Sequence, residues 1–272
     1  MTVKPPYLPL IIAHRGASAL APENTLSSFR RAVEIGADGI EFDVRLAKDG
    51  IPVVIHDATL SRTGHRDGDV AELTSAELAK VDVGSWFNHE HRNHASDDFS
   101  IDTVPTLEAV LEEMRDFRGL IFIELKCRDA EVESLCRAVC PVISRSSLLP
   151  QIIVKSFKLS VIPNIRFRCP GVKTAALFAP KMMRFLRKEK HLVRIASELG
   201  ADHISVHRSL VTRKFMKKVA KTGMSVTVWT ADNPRWVKKA MRLGVTSIIT
   251  NNPAKLLAKR REIIKGNYDS NA

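Results

Sequence analysis

Long apolar runs are missing from this chain of 272 residues. Its hydrophobic stretches are short and strand-like, whereas a membrane-spanning helix needs roughly 20 apolar residues, so no transmembrane segment is expected. The opening Met1-Thr2-Val3-Lys4-Pro5-Pro6 also lacks the apolar core and small-residue cleavage site of a secretory leader. The four cysteines, Cys127, Cys136, Cys140 and Cys169, form no Cys-x-x-Cys pair. They read as packing thiols in a reducing compartment, and a cytoplasmic location is expected. Aromatic residues are only 6% of the chain, too few to interleave the basic stretches as a platform for single strands would, so no nucleic-acid partner is expected.

What is present is an ordinary globular balance, 44% hydrophobic and 26% charged, carrying a formal net charge of +12. Lys and Arg crowd the second half, at Lys181 to Lys190, Arg213 to Lys221, Arg235 to Arg242 and Lys255 to Lys265. These lie on helical patterns and read first as solvated helix faces. Their summed field favours anionic partners, a phosphate-bearing small molecule foremost and peripheral contact with an anionic membrane second.

Short apolar runs alternate with helical patterns along most of the chain. Leu10 to Arg15 is a buried-strand pattern ending in polar residues, and Leu26 to Ile35 a helix stopped by Gly36. Further strands are expected at Leu120–Lys126, Ile152–Phe157, Lys173–Phe178, His203–His207, Ser225–Thr230 and Ser247–Thr250, with helices between them, one at Lys181–Leu199. Together with the two arms of a hairpin at Asp38–Asp57 this makes nine strand candidates. Eight fit an α/β fold of the (β/α)8 TIM-barrel type if Pro52 to His56 is only the return arm of the hairpin. A single domain over residues 1–272 is expected, with a small inserted segment at about 58–105 after the second strand's hairpin. Within it His89, His91 and His94 fall in a polar run, Asn88 to Asp98, that reads as a loop rather than a second metal site.

The hairpin carries the chemistry. Glu41, Asp43 and Arg45 alternate with Ile40, Phe42 and Val44, so in a strand both carboxylates leave one face. A two-residue turn at Asp49-Gly50 would set Asp43 opposite His56. Paired acids beside buried surface repel unless a cation or a proton joins them. A barrel places its active site at the C-terminal ends of its strands, where His14, Arg15, Glu41, Asp43, Glu124, Lys126, His207 and Trp229 all fall. Glu41, Asp43 and Glu124 are an all-oxygen set suited to one hard divalent cation, Mg2+ or Ca2+. His14 and His56 titrate near neutrality and suit general acid and base, in either order. Arg15 and Lys126 are cations fit to hold a phosphoryl group. Together they describe phosphodiester cleavage.

His14-Arg15-Gly16-Ala17, Pro22-Glu23-Asn24-Thr25, Glu41-Phe42-Asp43-Val44, Lys48-Asp49-Gly50 through His56-Asp57, Leu60-Ser61-Arg62-Thr63, Pro105-Thr106-Leu107-Glu108 and Glu124-Leu125-Lys126 together resemble the glycerophosphodiester phosphodiesterase family. The likeness is dense up to Lys126; later, Trp229-Thr230 and Thr250-Asn251-Asn252-Pro253 are its main traces. It implies a TIM-barrel hydrolase with an inserted small domain. It also implies that His14 and His56 are the acid/base pair, that Glu41, Asp43 and Glu124 hold the metal, and that Arg15 and Lys126 contact phosphate. Trp229 and His207 are expected in the substrate pocket.

Such enzymes cleave deacylated phospholipids to glycerol 3-phosphate and an alcohol. Lysophospholipase D activity on monoacylated lipids, or on a sphingolipid as in related toxins, is one alternative. A basic protein that binds an anion or lipid without chemistry is another. Two positions depart from the family pattern: Asn251 stands where the last strand usually ends in Thr-Asp, and Asp232 where an Asn usually follows the Trp-Thr pair.

Overall fold

The computed structural model describes residues 8–182 and 189–269. Eight strands close a parallel barrel: β1 (Leu10–His14), β2 (Gly39–Leu46), β4 (Leu120–Leu125), β5 (Ile152–Ser156), β6 (Lys173–Phe178), β7 (His203–His207), β8 (Ser225–Trp229) and β9 (Ser247–Thr250). Neighbours run in the order β1-β9-β8-β7-β6-β5-β4-β2, and pairing of β1 with β2 closes the ring. The expected α/β (β/α)8 barrel is therefore the observed fold. A ninth strand, β3 (Pro52–Val54), lies antiparallel on β2. It takes the edge of β2 at Val44–Leu46 that β1, paired only with Gly39–Glu41, has already left.

Period-two alternation sorts the barrel residues. Ile12, Phe122, Ile153, Ala175 and Ile249 pack on one another as a compact cluster inside the barrel. The alternate residues face the helices, as where Phe42 meets Phe29 of α1 (Leu26–Glu34) with ring centroids 5.4 Å apart. Helix α1 begins at Thr25, whose hydroxyl accepts from Ser28 N, a side-chain cap for an otherwise unpaired amide. The helix expected from Lys181 is described only as one turn at Pro180–Met182 and as α7 (Glu189–Glu198). Met183, Arg184 and Phe185 lie outside the described residues.

The hairpin corrects the expected register. Val44 faces Val54 and Arg45 faces Val53, which sets Asp43 opposite Ile55, whose amide donates to Asp43 O at 3.0 Å, and not opposite His56. The turn is three residues, Lys48-Asp49-Gly50, closed by Gly50 N to Ala47 O and Ala47 N to Ile51 O, both 3.0 Å. Gly50 has φ 76°, the left-handed residue that ends such loops. One extra loop residue shifts the whole return arm by one.

Between β3 and α4 (Leu107–Glu113) the chain forms α2 (Ser75–Leu78), α3 (Ser85–Glu90) and short 3-10 turns. Val53, Ile55, Leu60, Leu78, Val81 and Val104 pack as a cluster of their own under this segment. Thr74 and Glu77 cap α2 reciprocally. The run Asn88–Asp98 is more ordered than a loop: it includes the end of α3 and a turn at Arg92–His94, and His91 stacks on Phe87 at 4.4 Å. Among the described residues, the acidic, His and Cys side chains close enough to share a metal ion are Glu41, Asp43 and Glu124.

The barrel is tightest where β2 passes β4. A Cβ on Gly39 would stand 2.6 Å from Leu120 O and 2.7 Å from Ile12 Cδ1, and the first of these is backbone that cannot rotate away. Gly39→Ala is expected to destabilise the fold by about 1–3 kcal/mol, the usual cost of overpacking, measured as a lowered urea midpoint with unchanged slope.

Candidate active site

The chain leaves β1 through two left-handed residues, Arg15 (φ 55°) and Gly16 (φ 79°). Only glycine fits the second, because a Cβ there would lie 2.3 Å from Ser28 Oγ and 2.7 Å from the Ser28 carbonyl carbon. This turn aims backbone at the acids: Arg15 N donates to Glu41 Oε2 at 3.1 Å and Gly16 N to Glu41 O at 3.3 Å. Asn24, also left-handed at φ 59°, donates from Nδ2 to Asp43 Oδ2 at 3.0 Å and accepts from Asp43 N at 3.3 Å. The loop after β1 therefore grips both acids of β2.

Glu41, Asp43 and Glu124 are buried, with one carboxylate oxygen of each within 4.8 Å of the others. Three cations meet them. Arg15 Nε lies 3.2 Å from Asp43 Oδ2. Lys126 Nζ lies 3.2 Å from Asp43 Oδ1 and also pairs with Glu124 Oε1. Lys155 Nζ lies 2.6 Å from Glu41 Oε1 and 3.2 Å from Glu124 Oε2. Burial pushes Glu41 and Asp43 up, but Lys155 together with His14 holds Glu41 below its ordinary value, and Lys126 and Arg15, joined by the two histidines, hold Asp43 far below the ordinary carboxylate range. Burial likewise opposes the charge on Lys155, yet Glu41 and Glu124 keep its pKa above the usual value. Arg15, Glu41, Asp43, Lys126 and Lys155 are charged at neutral pH. Three buried anions against three cations is a balanced set, and three hard oxygen donors without sulfur or imidazole fit Mg2+ or Ca2+.

The two histidines stand at different rims of this cluster. His14 Nε2 is 3.8 Å from Glu41 Oε2, and its Nδ1 lies 2.6 Å from Asn251 Oδ1. Asn251 Nδ2 is already committed to Asp232 Oδ2 at 3.0 Å, so its oxygen is the acceptor and His14 Nδ1 carries the proton. His56 Nδ1 faces the Asp57 carboxylate at 2.7 Å. From there an alternating chain runs back to the acids. Arg62 bonds Asp57 at 2.6 Å and Glu23 through both terminal nitrogens, and Glu23 accepts from Arg15 at 2.8 Å. Arg45 Nε donates to His56 O at 2.8 Å, which holds the histidine's backbone to β2. Burial, joined by the nearby charges of Arg15 and Lys126, depresses the His56 pKa below 6.5, although Asp43 and Asp57 pull the other way.

Residues 14–255 match the sequence profile of the Glycerophosphoryl diester phosphodiesterase family. The chain belongs to this family. A glycerophosphodiester phosphodiesterase of Caldanaerobacter subterraneus subsp. tengcongensis is 31% identical over 250 residues, covering 91% of this chain and 96% of that protein. One of Bacillus subtilis is 30% identical over 251 residues, covering 90% and 84%. Among solved structures, an Oleispira antarctica phosphodiesterase in complex with the product sn-glycerol-3-phosphate superposes with a TM-score of 0.80 at 27% identity, covering 93% of this chain and 96% of that one.

Of the residues singled out from the sequence of this family member, His14, Arg15, Glu41, Asp43, Glu124 and Lys126 form one directly connected cluster. His56 joins it through the Asp57–Arg62–Glu23–Arg15 chain. Trp229 and His207 stand apart from the ion pairs as an aromatic wall. Their rings are 5.3 Å apart, Phe157 meets Trp229 at 5.5 Å, and Lys126 Nζ reaches over Phe157 at 5.8 Å. His207 Nδ1 accepts from Ser209 N at 3.3 Å. Sequence reasoning missed Lys155, which belongs to none of the motifs, and quoted Glu23, Asn24, Asp57 and Arg62 without giving them a role.

The two departures from the family pattern prove to be partners. Asp232 Oδ1 accepts from Asn251 N at 2.7 Å and from Thr250 Oγ1 at 2.8 Å, while its Oδ2 takes the Asn251 amide. Asn251→Asp would turn that amide donor into a carboxylate facing a carboxylate. The single change is expected to cost about 0.5–1.5 kcal/mol of stability, the net worth of an ordinary hydrogen bond. Adding Asp232→Asn should recover most of it, and thermal melts of the four proteins in a double-mutant cycle measure the coupling.

Proposed function

We propose that the protein is a phosphoric diester hydrolase that cleaves glycerophosphodiesters to glycerol 3-phosphate and an alcohol with the help of one divalent cation, Mg2+ or Ca2+. The convergence of three buried carboxylates from β2 and β4 between His14 and His56 carries the reading. The product-bound relative supports the substrate class. Glu41, Asp43 and Glu124 would hold the cation. Once bound, it would supply Lewis-acid polarisation of a phosphoryl oxygen.

The chain's own groups do the rest. Arg15 and Lys126, balanced now by the acids, would be free to hold the phosphate with a cation on those acids. His56, neutral at pH 7 by its depressed pKa, takes the proton of the attacking hydroxyl, whether water or the substrate's neighbouring hydroxyl. His14, whose Nδ1 proton goes to Asn251 and whose Nε2 faces Glu41, stands at the other rim of the acids and protonates the leaving oxygen. Beside Glu124 and Lys126 a groove of about 630 Å³, lined also by Arg45, Arg128, Phe157 and Lys158, leaves room for the alcohol. Trp229 and His207 would close the opposite side. Deacylated diesters suit this mouth better than lysolipids: the large exposed apolar side chains among the described residues, Val33, Ile51, Ile101 and Phe167, sit on separate elements and form no lipid face. Among the described residues no helix is long and apolar enough to cross a membrane.

Release of the alcohol from a panel of deacylated and monoacylated diesters tests the reading. His14→Ala and His56→Ala should each lower kcat/KM by about a hundred- to ten-thousand-fold, and a chelator should abolish turnover until Mg2+ or Ca2+ is returned. Unaffected release in either experiment would remove the site assignment.

The pH profile separates the histidines. A base is active when neutral, so kcat/KM should fall as pH drops through the His56 pKa, below 6.5, and a bound cation moves it in the same direction. The hydrogen bond that His56 donates to Asp57 raises that pKa, so Asp57→Asn should displace the acid limb to still lower pH. A limb that moves upward would show that His56 is not the base.

A further inference from the structure

Lys155 is the cation that cannot leave. It stands within β5, one residue before its C-terminal end, its Cα in register with Glu124, and is 2% exposed. Lys126, by contrast, follows the end of β4, has a side chain 16% exposed, and borders the open groove at the mouth. When a divalent cation takes the three carboxylates, repulsion must displace part of the present counter-charge. Lys126 has solvent to swing into, whereas moving Lys155 would drag an ammonium through the apolar barrel interior around Phe122 and Ile153.

Lys155 therefore stays on Glu41 Oε1 and Glu124 Oε2, at 2.6 and 3.2 Å. One oxygen of each glutamate remains for a metal. Once Arg15 and Lys126 turn from the acids they now balance, three carboxylates and one resident ammonium leave a net charge of minus two, matched by a single divalent ion. Ca2+ gathers 6–8 oxygens and commonly takes carboxylates through both, whereas Mg2+ takes six at shorter range and keeps waters among them.

We propose that Lys155 sets the ion selectivity of the site, withholding one oxygen of Glu41 and one of Glu124 so that the cluster accepts a small cation of the Mg2+ class and discriminates against Ca2+. The inference rests on the metal reading above, and its test does not use turnover. Metal-stripped wild type, Lys155→Met and Lys155→Arg are titrated calorimetrically with Mg2+ alone and with Ca2+ alone, and thermal melts report folding. The expected result is that Lys155→Met tightens Ca2+ at least tenfold and Mg2+ by less than threefold, while Lys155→Arg keeps the wild-type ratio.

A folded Lys155→Met whose ratio of the two affinities stays within twofold of wild type, or which loses both ions together, would overturn the proposal and leave Lys155 as a prop for the glutamates. If wild type binds neither ion, the metal reading itself fails, which is a different outcome from an unchanged ratio. Should Met not be accommodated, Lys155→Gln removes the charge while keeping a donor, and its affinity ratio is judged by the same limits.

Discussion

Three carboxylates of like charge, buried within 4.8 Å of one another, are the constraint that the surrounding structure answers. Taking even one such ion out of water costs several kcal/mol unless it is paired, so the fold must bring counter-charge to each. It does so from three directions. Arg15 arrives from the loop after β1, Lys126 from just beyond β4, and Lys155 from within β5. A backbone amide adds to this where the left-handed turn at Arg15 and Gly16 points Arg15 N at the Glu41 carboxylate, while Gly16 N takes the Glu41 carbonyl. That turn is strained for any residue but glycine at its second position, and one hydrogen bond to a buried carboxylate and one to the carbonyl beside it repay the strain.

The same compensation extends beyond the acids to His56. Asp43, Arg15, Glu23, Arg62 and Asp57 alternate in sign, each within 3.2 Å of the next, and the last of them orients the imidazole. His56 lies past the end of β3, so the ladder alone does not place it. This chain, with the Arg45 bond to its carbonyl, does. Arg62 also lies over the Trp86 ring at 5.9 Å. Beyond Asp57, the stretch 58–105 therefore contributes to the geometry of the candidate site through one cation and one indole, without lending a side chain to the acid cluster.

The parallel strands are legible in the sequence because burial on both faces leaves short apolar runs between turn residues. The bounds of β6, β7 and β9 are readable to the residue. The acids are legible for a related reason: a carboxylate on every second residue of a strand that is otherwise Ile, Phe and Val is conspicuous. Lys155 has no such signal. In Ile152-Ile153-Val154-Lys155-Ser156 a single lysine looks like a strand that touches solvent once, and only the closed barrel shows that its alternate face is interior. The hairpin register escaped because Asp49-Gly50 is compatible with a two-residue and a three-residue turn, and the choice depends on Ala47 pairing with Ile51. The Asn251–Asp232 exchange reads as two separate departures until a contact across 19 residues joins them.

The order of strands around the barrel explains why these signals are dense early and sparse late. His14 is in register with Glu41, Asp43 with Glu124, and Glu124 with Lys155, so β1, β2, β4 and β5 are contiguous and carry every charge in the cluster. They share one dry floor of Ile12, Phe122 and Ile153, where low polarity strengthens each ion pair and penalises any that is left open. A change to one member of this half-ring unbalances the others, so its residue types are tightly prescribed. The half-ring from β6 to β9 carries Ser205, His207, Thr227 and Trp229, neutral groups whose exchange leaves that balance intact. Its one strict obligation to the charged half is the acceptor that Asn251, backed by Asp232, presents to His14. The family pattern and this chain differ at those two positions, yet the requirement is still met, because what His14 needs is an oriented acceptor rather than a particular residue.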